Sequence, residues 1–170
     1  MTATVERIAP SSDLGRTVGI VDVGYADTFV TTAPAELSGD AQRAARRFVA
    51  SAPGFADGLL RVRDAVVGRL WRRAERHCAR GVDEAAPVVV GGTLSMFRAY
   101  RVDETEVVIG GDERLMRYRI LLRLDAETGR FTCATVVERT RNPVSRAYLL
   151  LGLPAHVWVV RATMRRFAGS

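Results

Sequence analysis

Alternation of apolar and polar residues is clearest between residues 114 and 124. One face of the strand that it predicts carries Met116, Tyr118, Ile120, Leu122 and Leu124. The other face carries Arg117, Arg119 and Arg123. Further strands are predicted over residues 93–102, 104–109 and 130–140, with turns at Asp103, at residues 110–112 and at residues 127–129. Because side chains alternate between the faces of a strand, the pattern predicts an antiparallel sheet with one buried and one solvent-facing side.

The region before this sheet predicts one strand and two helices. β-Branched and aromatic residues over 16–32 indicate a strand with a bulge near Gly24, ended by Ala33-Pro34. The first helix is predicted to begin at a Ser38 cap and to direct three arginines outward: Arg43, Arg46 and Arg47. The second helix has apolar residues at helical spacing: Leu59, Val62, Val66 and Leu70.

A long helix is predicted at the end of the chain. Asn142 at the cap and Pro143 at the first helical position indicate its start, and the pattern continues to about Phe167. Apolar residues surround it from 149 to 160, which predicts burial on most sides. The apolar run over 147–160 is shorter than the roughly 20 residues of a spanning helix, so no membrane span is expected.

The order of these elements predicts an α+β helix-grip fold. In this fold a curved antiparallel sheet wraps around the long C-terminal helix, and two short helices follow the first strand. Residues 1–16 are predicted to be a flexible N-terminal arm, and residues 17–170 a single small-molecule-binding domain. A sheet that grips a helix leaves a concave apolar cavity between the two layers, and such cavities bind small molecules.

Composition narrows the chemistry that the chain can perform. The 170 residues have a formal net charge of +6, and all 25 basic residues are arginine. The lack of lysine excludes Schiff-base catalysis, covalent attachment of pyridoxal phosphate and the lysine of a phosphate loop. The codon bias of a GC-rich genome is the simpler explanation of this arginine usage. Cys78 and Cys133 have no framework spacing and the first residues form no signal peptide, so a cytoplasmic location is expected.

No metal or other cofactor is expected from the sequence. The two histidines, His77 and His156, and two cysteines form none of the usual zinc-binding spacings. Covalent catalysis is also disfavoured, because the sequence has no G-x-S-x-G elbow. Cys133 falls within a predicted strand, where a small buried side chain is the usual interpretation.

Three short segments resemble the DUF2867 family: Tyr25-Ala26-Asp27-Thr28-Phe29, Arg63-Asp64, and the segment from Tyr148 to Pro154-Ala155-His156. The resemblance extends from about Tyr25 to Phe167. The family is uncharacterised and is placed with the SRPBCC or START-like, polyketide-cyclase-like helix-grip proteins. The resemblance therefore implies a helix-grip fold and a ligand cavity, without implying a particular reaction.

Polar residues in otherwise apolar elements are the candidates for acid–base catalysis: Asp27, Tyr118 and His156. A neutral imidazole could transfer protons near pH 7, and an isolated buried carboxylate would have a raised pKa. The alternatives are structural: a hydrogen-bonded core histidine, a packing tyrosine, and an ion pair between Asp27 and Arg63. Substrate binding is predicted for six further residues: Met96, Arg98, Tyr100, Met116, Ile120 and Trp158.

These features predict a protein that binds a hydrophobic small molecule and acts on it without a cofactor. The expected reaction is that of a cyclase, dehydratase or isomerase, of the kind found in natural-product biosynthesis. A carrier or sensor that leaves its ligand unchanged is the alternative. Nucleic-acid binding through the arginines of the two helices is less favoured, because no recognised nucleic-acid-binding motif accompanies them. A homodimer through sheet edges is compatible with the sequence but is not fixed by it.

Overall fold

The computed structural model describes residues 4–55, 86–113 and 115–169. The strands are β1 (Glu6–Ile8), β2 (Val23–Thr32), β3 (Thr93–Leu94), β4 (Phe97–Val102), β5 (Glu106–Asp112), β6 (Arg117–Leu124) and β7 (Arg130–Glu138). They form one antiparallel sheet in the order β1-β2-β7-β6-β5-β4-β3. The helices are α1 (Leu14–Thr17), α2 (Ala41–Ala50) and α3 (Pro143–Ala168), with a short 3₁₀ turn at Ala35–Leu37. The predicted α+β class, with an antiparallel sheet and a long C-terminal helix, is confirmed.

The inner face of the sheet, which packs against α3, carries the larger hydrophobic core. Phe29, Leu122 and Phe131 lie on three adjacent strands and are fully buried. The ring of Phe131 lies 5.5 Å from that of Phe48 on α2 and 4.4 Å from that of Phe167 on α3, measured between centroids. Burying each such side chain contributes about 2 kcal/mol, so α2 and the C-terminal part of α3 close this half of the face firmly.

The outer face of the sheet is also partly buried, contrary to the prediction of a solvent-facing side. Leu14, Val18 and Ile20 come from α1 and the turn after it, and they pack against Leu121 and Val136 of the sheet. The strand predicted to begin at residue 16 therefore begins at Val23, because residues 14–20 form this cover instead. The alternation in β6 gives two cores, one on each face.

Charged residues on the outer face are paired with one another. Arg119 is buried, and its guanidinium lies 2.9 Å from the carboxylate of Asp112 and 3.4 Å from the centroid of the Tyr100 ring. Glu106 is buried and pairs with both Arg101 and Arg123. The expectation that the β6 arginines face solvent is thus wrong for Arg119, because Asp112 and Tyr100 cover it.

Within the segment predicted to be a flexible arm, residues 1–16, the structure contains regular elements. β1 pairs with the edge of β2, aligning Arg7 with Phe29. Leu14 of α1 is buried in the outer core. The division of the chain into an arm and a domain remains a prediction.

The caps of the helices follow local hydrogen bonding. Asn142 caps α3 as predicted, because its side chain accepts a hydrogen bond from the backbone N–H of Val144 at 2.9 Å. Helix α2 is capped by Asp40, whose carboxylate accepts from the N–H of Arg43, and not by Ser38 as predicted. Arg46, predicted to point outward, is buried and donates to a backbone carbonyl at Ala86.

The sheet is irregular at two positions, one in β2 and one in β4. The predicted bulge near Gly24 is confirmed by a register shift there, and a Cβ at Gly24 would lie 2.7 Å from the Cα of Arg139. The turn predicted at residues 110–112 is wrong, since β5 continues through Asp112. A second register shift, between Ala99 and Arg101, places both Tyr100 and Arg101 on the outer face.

Helix α3 is less buried than its sequence predicts. Its inward side includes Val160, Met164 and Phe167, whereas Leu150, Leu151 and Trp158 are exposed. Several further predictions lie outside the described residues: the second helix, its arginines, the Arg63-Asp64 pair, His77 and Cys78.

Candidate functional site

A row of residues that includes two polar side chains crosses the inner face at the level of Asp27. Strand pairing aligns Asp27 of β2 with Thr135 of β7, and Thr135 with Ile120 of β6. The neighbouring row contains, in the same strand order, Tyr25, Val137 and Tyr118. Since alternate residues of a strand share a face, both rows project toward the side covered by α3. The inner face is therefore divided into an apolar half around Phe29 and a half with polar groups.

Asp27 is the centre of a compact polar cluster. Its side chain is fully buried, and Oδ2 accepts a hydrogen bond from the hydroxyl of Tyr25 at 2.7 Å. The same oxygen lies 3.3 Å from Nε2 of His156 on α3. The rings of Tyr25 and His156 meet edge to face, with centroids 6.3 Å apart. This Tyr25–Asp27–His156 cluster links the sheet to the helix.

Buried polar atoms near the cluster have unused hydrogen-bonding capacity. Among the described residues, Oδ1 of Asp27 and Oγ1 of Thr135 have no hydrogen-bond partner. Leaving such atoms unpaired costs about 1–3 kcal/mol each, so native proteins keep few of them. Asp27 and Thr135 are cross-strand neighbours, whose Cβ atoms lie about 5 Å apart in antiparallel pairs. Together they form a polar spot to which a ligand hydroxyl or carbonyl could bind.

Opposing effects act on the pKa of Asp27. Burial is the largest single effect and raises the pKa. The adjacent His156, the hydroxyl of Tyr25 and the charge of Arg7 all act in the other direction, and together they lower the pKa below its ordinary value of 3.8. A raised pKa was expected only for an isolated buried carboxylate, and Asp27 is not isolated: its partners outweigh its burial.

Tyr25 and Cys133 are held in their neutral forms. Burial, followed by the hydrogen bond to Asp27, raises the pKa of the Tyr25 hydroxyl. Burial also raises the pKa of the Cys133 thiol, and the nearby charge of Asp27 adds to this effect. A thiol with a raised pKa is a poor nucleophile, so the structure agrees with the interpretation of Cys133 as a core residue.

Solvent reaches the cluster from the side of His156. The imidazole is 29% exposed although the carboxylate beneath it is not exposed at all. Ile120 in the Asp27 row and Val157 beside His156 are only partly buried, as is Leu153 one turn earlier on α3. The polar cluster is thus bordered by apolar groups that retain accessible surface.

Two of the three predicted catalytic residues, Asp27 and His156, come together, and the third does not touch them. Tyr118 projects from the same face as Tyr25, but two strand spacings away, a distance of roughly 10 Å. Its ring packs edge to face on Phe97, with centroids 6.4 Å apart. Tyr118 therefore lies across the sheet from the cluster, with its ring close to Gly111 of β5.

Three of the predicted substrate-binding residues lie elsewhere. Met96, Arg98 and Tyr100 line a shallow concavity of about 220 Å³ near the ends of β4, β5 and β6, together with Gly111 and Asp112. Tyr118, the third predicted catalytic residue, lines the same concavity. The hydroxyl of Tyr100 donates to Asp112 at 3.0 Å. Arg98 and Tyr100 stand on either side of Ala99, which belongs to the inner core, so these two side chains do not face the Tyr25–Asp27–His156 cluster.

The remaining predicted binding residues are divided among three environments. Ile120 lies in the Asp27 row. Met116 lines a second shallow concavity with Arg117 and Glu138, beyond the start of β6. Trp158 is exposed on the outward side of α3 and stacks on Phe55, with ring centroids 3.9 Å apart. Of the six residues, Ile120 alone lies in a row of the candidate site.

Tyr25 and Thr135 are site residues that the sequence did not single out. Tyr25 stands two positions before Asp27 in a predicted strand, and this spacing places both on one face. That signal could have identified it. Thr135 had no comparable signal, because its position opposite Asp27 depends on the pairing of β2 with β7.

The described residues show no group suited to a metal ion. In residues 4–55, 86–113 and 115–169, no three histidine, cysteine, aspartate or glutamate side chains cluster as metal ligands would. An imidazole with one nitrogen toward a carboxylate can accept and donate protons at the other nitrogen.

Comparison with known proteins identifies one relationship. A family model described as "Protein of unknown function (DUF2867)" matches residues 20–163. No curated protein and no solved structure matches the chain. The resemblance predicted from the three short segments is thus confirmed at the level of the family.

Proposed function

The chain belongs to the DUF2867 family, and from that membership we propose that it is a helix-grip protein of the SRPBCC type that binds a hydrophobic small molecule. The ligand would lie between the inner face and the N-terminal half of α3, beside the Tyr25–Asp27–His156 cluster. We further propose that the protein acts on this ligand by cofactor-independent acid–base catalysis, as an isomerase, dehydratase or cyclase.

A single observation carries the proposal: a fully buried carboxylate joins a tyrosine and a histidine on a partly apolar, partly accessible surface. Burying a charge for packing alone is unfavourable, because well-packed apolar residues at such a position are often equally stabilising or more so. Titratable groups with perturbed pKa values and solvent access are typical of catalytic sites. The unpaired atoms of Asp27 and Thr135 add a place for a polar group of the ligand.

The geometry gives each of the three side chains a different role. Nε2 of His156 faces Asp27, so Nδ1 is the ring nitrogen available to a ligand. When Nδ1 accepts a proton, the carboxylate 3.3 Å from Nε2 stabilises the imidazolium that forms. Tyr25 holds the carboxylate in place by its hydrogen bond, and its raised pKa keeps the hydroxyl protonated, so it does not act as a base. In an isomerisation the proton taken from one atom returns to another, so no co-reactant is consumed.

A non-catalytic carrier or sensor is the second proposal that the same surface supports. The apolar border of the cluster and the unpaired polar atoms would bind a ligand equally well if no bond changed. The Asp27–His156 pair favours catalysis over this alternative, since a passive apolar site needs no buried charge.

The test is native mass spectrometry of the protein before and after incubation with a small-molecule extract of its own host. We expect a bound mass, and a new mass absent from the extract if the ligand is converted. Once a substrate is known, His156→Gln should lower the turnover rate by about 10²–10⁴-fold, the usual contribution of a general acid–base group. Asp22→Asn, at an exposed ion pair, is the matched control for Asp27→Asn and should leave turnover unchanged.

The outcomes separate the alternatives. A retained mass without conversion, unaffected by His156→Gln, would establish a carrier and overturn the catalytic proposal. Equal turnover of the wild type, His156→Gln and Asp27→Asn would show that the cluster is structural. If no component of the extract bound to the folded protein, the ligand-binding proposal itself would be contradicted.

A further inference from the structure

Helix α3 exposes a row of apolar side chains on the side that faces away from the sheet. Leu151 is 82% exposed, Leu150 is 67% exposed and Trp158 is 57% exposed. Val144, near the start of the helix, is exposed as well. Scattered single apolar residues are common on protein surfaces, but these four belong to one helix.

The exposed residues form one continuous stripe. With 3.6 residues per turn, positions 147, 151, 154 and 158 share one side of the helix, and all four are exposed. This side is roughly opposite the buried positions 160, 164 and 167. We call it the outward stripe: Ala147, Leu151, Pro154 and Trp158, flanked by Val144 and Leu150. Trp158 also stacks on Phe55, with ring centroids 3.9 Å apart, and is still 57% exposed. It extends over about 21 Å from Val144 to Trp158.

The charge on α3 is of one sign only. The helix contains no acidic residue. Its four charged residues are arginines: Arg146, Arg161, Arg165 and Arg166. All four are exposed, and none has an acidic partner among the described residues. Arg146 stands near the N-terminal end of the outward stripe, and Arg165 and Arg166 stand near its C-terminal end. The guanidinium of Arg161 instead lies over the ring of Phe29 in the sheet, 5.7 Å from its centroid. The stripe contains no charge of its own. An apolar surface bordered by cations is complementary to an anionic, amphipathic partner.

We propose that the outward stripe of α3 docks on the surface of an anionic lipid bilayer. Leucine and tryptophan side chains of a surface helix insert at the boundary between headgroups and acyl chains, and arginines contact the anionic headgroups. Tryptophan is enriched at this depth in membranes. The proposal is independent of ligand binding at the Tyr25–Asp27–His156 cluster.

A second copy of the chain would fit the charge of α3 less well. A second copy of the chain, paired through the same stripe, would bring arginines of one helix near those of the other with no carboxylate on either helix. Spanning is a separate matter: among the described residues, α3 alone is long and apolar enough to cross a membrane. Its opposite side, however, packs Met164 and Phe167 into the core, so the folded protein can present only the outward stripe.

The test is co-sedimentation of the full chain with vesicles of phosphatidylcholine, with and without about 30% phosphatidylserine. We expect binding to the anionic vesicles, weakened as salt is raised. Arg165→Gln combined with Arg166→Gln should reduce partitioning by more than tenfold, since each arginine near an anionic surface contributes about fivefold. Leu151→Asp combined with Trp158→Asp should reduce it at least about tenfold.

A matched control and a second readout make the result specific. Val21→Asp changes an equally apolar residue that is 94% exposed and lies outside α3, and it should leave vesicle binding unchanged. In a Trp71→Phe background Trp158 is the single tryptophan, and its emission should shift to shorter wavelength on anionic vesicles. Circular dichroism and urea unfolding of each variant check that it is folded.

Three results would overturn the proposal. The first is no binding of the folded wild type to anionic vesicles. The second is an equal loss of binding in Val21→Asp and in the Leu151, Trp158 double variant. The third is a concentration-dependent dimer, measured by light scattering, that the Leu151, Trp158 double variant loses while its binding to vesicles is unchanged. That result would assign the stripe to a second copy of the chain.

Discussion

At the scale of single residues, Asp27 carries a charge where charge is costly. Transfer of a carboxylate from water to a poorly solvated interior costs several kcal/mol, and the cost is offset only when partners neutralise and hydrogen-bond it. Tyr25 supplies the hydrogen bond, and His156 and Arg7 supply favourable charge. The lowered pKa of Asp27 means that these partners outweigh burial in the folded state.

A pH-dependent contribution to stability follows from this residue. Because the folded-state pKa of Asp27 lies below its ordinary value of 3.8, the ionised carboxylate stabilises the fold above pH 3.8, and this contribution is lost as the pH falls through the folded-state value. We expect Asp27→Asn to lower the free energy of unfolding by about 2 kcal/mol at pH 7. The difference from wild type should narrow below pH 3.8.

Urea unfolding at several pH values between neutral and strongly acidic tests this expectation. Asp22→Asn provides the control, because Asp22 forms an exposed ion pair with Arg139 and should change stability by less than about 0.5 kcal/mol. A wild-type advantage over Asp27→Asn that stays constant or grows as the pH falls would contradict the assigned direction of the pKa shift.

At the scale of elements, backbone geometry decides which substitutions β2 and α3 tolerate. Gly24 allows β2 to approach β7 at the bulge, where its Cβ position lies 2.7 Å from the Cα of Arg139. Gly152 lies within α3 with open space around its Cβ position. Glycine is thus required by the close packing of β2 against β7, whereas in α3 it is unfavourable for the helix.

Opposite effects of one substitution are therefore expected at these two positions. Gly24→Ala should destabilise the protein by about 2 kcal/mol, since the backbone of β7 must move to admit the methyl group. Gly152→Ala should stabilise it by about 0.5–1 kcal/mol, because alanine has the higher helix propensity. Urea unfolding of both variants measures the difference. If Gly24→Ala were neutral, the close approach at the bulge would not constrain the fold.

At the scale of the whole molecule, the sheet separates two cores of unequal size. The inner core is closed by α2 and α3, and the outer core by α1 and the residues after it. Adjacent residues of β6, Leu121 and Leu122, are buried on opposite faces. Both faces of the sheet therefore contribute buried apolar residues to the stability of the fold.

Truncation on both faces of β6 tests this two-core arrangement. Leu121→Ala and Leu122→Ala should each lower the free energy of unfolding by about 3 kcal/mol, as for fully buried leucines elsewhere. Leu150→Ala, on the exposed side of α3, should change it by less than about 0.5 kcal/mol. A cost for Leu121→Ala as small as that for Leu150→Ala would mean that the outer face is solvated, as the alternation by itself predicts.

What the sequence determined by itself is local. The alternation in β6, the Asn142-Pro143 start of α3 and the bulge at Gly24 were all predicted, because each depends on residues adjacent in the chain. Asp27 and His156 also stood out as polar groups in apolar segments. Tyr25 was predictable from its spacing to Asp27, although it was not selected.

Only the tertiary structure determined which side chains face one another and which face of the sheet is covered. It placed His156 against Asp27, put Thr135 in the same row, turned Tyr100 to the outer face and covered that face with Leu14 and its neighbours. It also left one side of α3 exposed, although the helix is apolar on both sides. The physical reason is that burial, charge pairing and proton sharing depend on groups distant in the chain, which periodicity in sequence does not specify.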